Sequence, residues 1–83
     1  MRPFGRSGTG PMCVVVLDRL GNTHAARQIG LTAFCNAVDL ALSVGCRPGD
    51  PFLWWEVAGD DVDAARTAPS IDGRRVLAHL PPR

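Results

Sequence analysis

Gly45-Cys46-Arg47-Pro48-Gly49-Asp50-Pro51, followed at once by Phe52-Leu53-Trp54-Trp55-Glu56-Val57, is the stretch around which this chain is organised. Helical spacing precedes it and a run of bulky apolar side chains follows. The glycines and prolines between keep either pattern from running into the other. Gly45 is free to take the left-handed conformation that closes a helix, and Pro48 blocks continuation a few residues later. Pro51 fits as the opening residue of a strand, where a missing N–H costs least. Both tryptophans of the chain lie in that strand, so the core is expected to form around Trp54 and Trp55.

Working towards the N-terminus, Thr32 is well placed as a helix N-cap. Leu31, Phe34, Cys35, Val38, Ala41 and Leu42 then fall within a roughly 120° arc at about 100° per residue, which predicts an amphipathic helix of about 12 residues. Leu40 and Val44 point to its other side, and this second apolar face predicts burial against another subunit. Earlier still, Met12-Cys13-Val14-Val15-Val16-Leu17 is apolar on both faces and bounded by Pro11 and Asp18, as in a buried strand. Arg19-Leu20-Gly21-Asn22 supplies a turn, and a weaker strand follows at Thr23-His24-Ala25-Ala26. Residues 1–11 carry too little apolar surface to offset the cost of ordering and read as a flexible arm bearing Arg2 and Arg6.

Towards the C-terminus, Phe52, Trp54 and Glu56 alternate with Leu53, Trp55 and Val57, leaving this strand little polar face for solvent. The segment from Ala58 to Ser70 reads as an exposed loop that holds one helical turn, with acids at Asp60, Asp61 and Asp63. Asp72-Gly73 marks a second turn, delivering a last strand over Arg75-Val76-Leu77-Ala78-His79-Leu80. The fold class expected is therefore α+β, mainly β, with one domain over residues 12–80 and a short tail over 81–83.

An 83-residue chain buries only about 60–65% of its unfolded surface, so a disulfide, a metal or a second subunit is the usual reinforcement. Three cysteines, with no Cys-x-x-Cys pair, argue against a disulfide framework and for a reduced, cytoplasmic protein. Cys13 and Cys35 read as small core residues. His24, His79 and the cysteines have no finger-like spacing, so no metal and no cofactor are expected. No segment approaches the roughly 20 apolar residues of a membrane span. An oligomer is left, and a homodimer is the expectation.

The formal net charge of +1 does not announce nucleic acid by itself. Every basic side chain is arginine, a pattern for which codon bias is sufficient explanation. Their distribution is uneven: Arg2, Arg6, Arg19 and Arg27 against Asp18 alone give the first 30 residues a side-chain charge of about +3.

The order of elements and their punctuation resemble a known family, the swapped-hairpin AbrB-type DNA-binding domains, which include antidotes of toxin–antitoxin pairs. Leu17-Asp18-Arg19-Leu20-Gly21 and Val44-Gly45-Cys46-Arg47-Pro48-Gly49-Asp50-Pro51-Phe52 carry the resemblance, which covers roughly residues 12 to 80. Asn22 stands where the family usually has arginine, Ala25-Ala26 where it has Ile-Pro, and the span from Gly21 to Gly49-Asp50 is about ten residues longer. The resemblance implies a small swapped-hairpin barrel with one helix, formed by an intertwined homodimer. It also implies double-stranded DNA as partner, with a cognate toxin or other protein as a further one.

On that reading the protein is a DNA-binding transcription regulator or antitoxin, and Arg19, Asn22, His24, Arg27, Arg2 and Arg6 are its DNA-binding residues. Solvated surface charge competes as an explanation for Arg19 and Arg27, and a half-exposed strand position for His24. The alternative is a non-enzymatic protein-interaction module on the same dimeric fold, gripping its partner through the acidic loop or the C-terminal strand. No nucleophile elbow, phosphate loop or zinc-protease helix is present, so no enzyme is expected.

Overall fold

A computed structural model describes residues 10–30 and 32–82, in the order β1 (Met12–Leu17), β2 (Thr23–Arg27), α1 (Ala33–Ser43), β3 (Pro51–Ala58), α2 (Val62–Ala65) and β4 (Val76–His79). The four strands form one sheet in the order β2-β1-β3-β4, every neighbouring pair antiparallel. This is the expected α+β class with one main helix, and the strand boundaries lie within two residues of those read from the sequence. Residues 1–9, with Arg2 and Arg6, and Leu31 lie outside the described residues.

Each local structure has a chemical cause. The β1–β2 loop is a three-residue hairpin loop. Gly21 N–H donates to Asp18 C=O (3.0 Å), Asp18 N–H donates to Asn22 C=O (3.0 Å), and Gly21 takes φ 88°. That combination is a tight turn closed by a left-handed glycine bulge, and a Cβ at Gly21 would be strained there. Thr32 caps α1, its side-chain oxygen accepting from Cys35 N–H (3.3 Å).

At the other end of α1 the organising stretch behaves as its residues demand. Gly45 takes φ 98°, its N–H donates to Leu42 C=O (3.2 Å), and Cys46 N–H reaches back to Ala41 C=O (3.0 Å). Those two bonds form the six-to-one and five-to-two pair that ends a helix on glycine. Pro48 and Gly49 then make a turn in which Asp50 N–H donates to Arg47 C=O (3.0 Å), and Pro51 opens β3.

The sheet is covered on both faces by its own chain. Val14 and Val16 point to one side and pack with Phe52, Leu80 and the Ala37, Leu40 and Ala41 face of α1. Cys13 and Val15 point to the other and pack with Trp55, Val57 and Ala65 of α2. The absence of a polar face on β1, read from the sequence as a sign of a second subunit, is met here within one chain. Trp55 is 3% exposed, and the Arg75 guanidinium lies 4.3 Å from its ring centroid. Trp54 points to the α1 side, is half-buried, and meets Phe34 at 6.1 Å between ring centroids.

One expectation is reversed. Of the face of α1 expected in the core, Phe34 is 44% and Leu42 50% exposed and Cys35 is exposed, whereas Ala41 is buried and Val38 packs against the core. Ala37 and Leu40 join Ala41 in facing the sheet, so the helix is turned from the expected orientation. Ala37 and Ala41, one turn apart, let the helix approach β1 closely, and the contact is chosen by fit rather than by side-chain size. Cys35 is accordingly not a core residue.

Trp55→Ala should cost about 3–5 kcal/mol, close to the whole stability of a domain this small. Trp54→Ala should cost less than half as much, because that ring is not fully buried. Urea midpoints of the two variants check this, and a costlier Trp54→Ala would reverse the assignment.

Candidate functional site

Because β1 and β3 are antiparallel neighbours, the hairpin tip after β1 and the turn before β3 meet at one end of the sheet. They enclose a cleft of about 330 Å³ lined by Asp18, Arg19, Leu20, Val44, Gly45, Cys46, Arg47 and Asp50. Asp18 is its hub. One carboxylate oxygen accepts from Leu20 N–H (2.9 Å) and Asn22 N–H (3.0 Å), and the other lies 2.9 Å from His24 Nε2. An ionised carboxylate only accepts, so Nε2 carries the proton. The His24 hydrogen bond, then those of the backbone, hold the Asp18 carboxyl below the usual carboxylate range. Asp50 binds Arg47 N–H (3.0 Å) and lies 3.9 Å from Arg19 Nε through the same oxygen.

Histidine, aspartate and Cys46 thus sit at one end of the fold, but the electrostatics oppose a nucleophilic role. Burial, followed by the Asp18 and Asp50 carboxylates, pushes the Cys46 thiol up, away from the reactive thiolate. Cys13 is raised likewise, by burial first and then by Asp60. All three cysteines are free thiols. Among the described residues no cluster of three or more His, Cys, Asp or Glu could hold a metal ion, and no helix is long and apolar enough to cross a membrane.

The sequence-derived DNA-binding residues divide. Arg19, Asn22 and His24 gather at the hairpin tip. Arg27 lies three residues along β2 from His24, roughly 10 Å away, and on the other face of the sheet. The register fixes this, because His24 pairs with Val16, which faces α1, and Arg27 with Cys13, which faces α2. Arg19, Asn22, His24 and Arg27 therefore do not form one basic face, and the acids Asp18 and Asp50 sit beside His24 and Arg19. Arg2 and Arg6 are outside the described residues. Arg47, Cys46 and Asp50 also line the cleft. In the sequence they read as helix-stop punctuation and as part of the stretch that carries the family resemblance, with no role given to their side chains.

Two apolar hollows lie elsewhere. One of about 280 Å³ is lined by Val38 and Leu42 of α1 with Pro48 and Pro81. The other, of about 170 Å³, is lined by Leu17, Asp18, Arg19, Pro51, Phe52, Leu53 and Leu77. No family model, no curated protein and no solved structure matches this chain.

The engagement of Asp18 makes stability pH-dependent with a definite sign. Its folded-state pKa lies below the unfolded value of about 3.9, so in the interval between them the unfolded chain binds more protons and stability rises with pH. That contribution is complete above the unfolded value and is lost as pH falls through the folded one. Asp18→Ala should cost about 1–3 kcal/mol near neutrality. Denaturant titrations down to about pH 2.5 should then show a shallower acid loss in the variant than in the parent. Equal acid sensitivity of the two would remove Asp18 from its place as hub.

Proposed function

We propose that the chain is a cytoplasmic, non-catalytic protein-interaction module whose contact surface is one flank of α1. One observation carries this reading: Phe34, Val38 and Leu42 recur at i, i+4 and i+8 along the edge of the α1–sheet contact, with Phe34 and Leu42 about half exposed, beside the apolar groove walled by Pro48 and Pro81. Asp39 is the only charged side chain on that helix. A ridge of this spacing fits the groove of a second amphipathic helix, and a partner segment with an apolar, weakly charged face is its natural occupant. The raised Cys46 thiol, away from the reactive thiolate, supports a binding role over catalysis.

A second reading is a dimeric DNA-binding regulator or antitoxin, with two chains interleaved as a swapped-hairpin barrel. The exposed hairpin tip favours it: Arg19 is 62% exposed at the side chain, and Leu20 and Asn22 stand beside it in solvent. In that case log affinity for random duplex falls with log salt by about 0.9 for each phosphate neutralised.

Leu42→Asp, at a side chain half in water, should leave the urea midpoint nearly unchanged, whereas Phe34→Asp should lower it by losing the Trp54 contact, and both should abolish association with a helical partner co-purified from the native source. Arg19→Ala with Arg27→Ala should retain it. Steeply salt-dependent duplex binding that survives both α1 variants and is lost in the arginine double variant would replace the first reading with the second.

A further inference from the structure

β4 is one of the two edge strands of the sheet, β2 being the other, and its free edge has a defined hydrogen-bonding pattern. Leu80 N–H donates to Asp50 C=O (3.0 Å) and Leu80 C=O accepts from Gly49 N–H (2.8 Å), so the backbone of Leu80 points into the sheet. Antiparallel alternation then turns Ala78 and Val76 inward, opposite Phe52 and Trp54, and turns the N–H and C=O of Leu77 and His79 outward. Among the described residues, no backbone group bonds to those outward positions.

A row of side chains runs to the same edge. Leu17 pairs with Leu53, and Leu53 with Leu77, so three leucines stand in register on the face that α2 covers only at its other end. They line the hollow of about 170 Å³, and Leu77, at its open end, is 63% exposed. Free strand edges of this kind attract another strand unless they are charged, bulged or covered. Arg75 does not guard the edge, because its guanidinium is drawn onto the Trp55 ring.

We propose that β4 pairs antiparallel with β4 of a second copy, about a two-fold axis through Leu77. The edge is its own complement. In that register Leu77 exchanges both backbone bonds with the second copy's Leu77, Val76 stands opposite Ala78, and Arg75 opposite His79. The three-leucine row becomes a continuous row of six across the joined sheets. From Arg74 to His79 neither copy carries an acid, so no carboxylates oppose each other, and Pro81-Pro82 end the strand before the pairing could slip outward. The contact is short and belongs with weak, reversible interfaces, dissociating on the order of 10 µM. It is independent of the α1 surface and of its partner.

Sedimentation equilibrium on the full chain tests it. The mass should rise with concentration from 8.9 kDa towards twice that value. Leu77→Pro removes an N–H that the monomer does not use, and Leu77→Lys sets two like charges at the axis. Both should remain monomeric at every concentration, with circular dichroism like the parent. Leu42→Asp should dimerise as the parent does. A parent that stays at one chain mass overturns the proposal, and one that instead binds an added extended peptide at β4 identifies a foreign strand as the occupant. A dimer that persists in both Leu77 variants, or is lost in Leu42→Asp, overturns it in favour of another interface.

Discussion

Burial of β1 on both faces is the constraint on which the rest of this structure depends. Cys13, Val14, Val15 and Val16 are all removed from solvent. A strand without a polar side must find cover above and below the sheet, and an 83-residue chain has little material with which to supply it. Eleven residues of α1 cover one face and four residues of α2 the other. The central position of β1, flanked by β2 and β3, completes the enclosure. The disparity between the two covers sets the surface: α2 reaches Cys13, Val15, Trp55 and Val57 but stops short of the leucines nearer the hairpin tip.

The backbone plan was legible because its signals are local. Gly45, Pro48, Gly49 and Pro51 each constrain their own dihedrals or hydrogen bonds, and a helix stop followed by a strand start follows from them without knowledge of the fold. The helix cap at Thr32, the glycine bulge at Gly21 and the Asp-Gly turn at Gly73 belong to the same class. Tertiary choices were not legible. Periodicity placed two apolar faces on α1 but could not tell which would meet the sheet. The face read from Phe34 to Leu42 met the sheet only through Ala41 and partly through Val38, and the rest of the contact came from Ala37 and from Leu40 of the other face, as close packing favours.

The candidate site was legible in part for the same reason. Arg19, Asn22 and His24 lie within six residues of one another, so a hairpin brings them together whatever else happens. Arg27 was separated from them by strand parity, a property of register rather than of composition. Nor does a residue's type reveal its commitments. Asp18 holds two backbone N–H groups and His24, and Asp50 holds the turn before β3 while facing Arg19. Among the described residues the uneven charge along the sequence therefore does not become a uniformly basic surface. Asp50 of the organising stretch is folded back beside Arg19.

At the hairpin tip Asp18 is engaged by two backbone N–H groups and His24, while the Arg19 side chain remains mostly in water. Apolar surface differs, because it cannot be satisfied by water at all. Burying one half-exposed leucine gains about 1 kcal/mol, and several adjoining ones add up to the scale of a specific contact. Leu20, Ile29 and Ile71 stand singly in loops, whereas Phe34 and Leu42 adjoin along one flank of α1 and Leu77 ends the leucine row at β4, where the covers over β1 and β3 run out. A fold that spends its two helices on enclosing its central strand has no further element with which to cover the flank of α1 or the end of the leucine row.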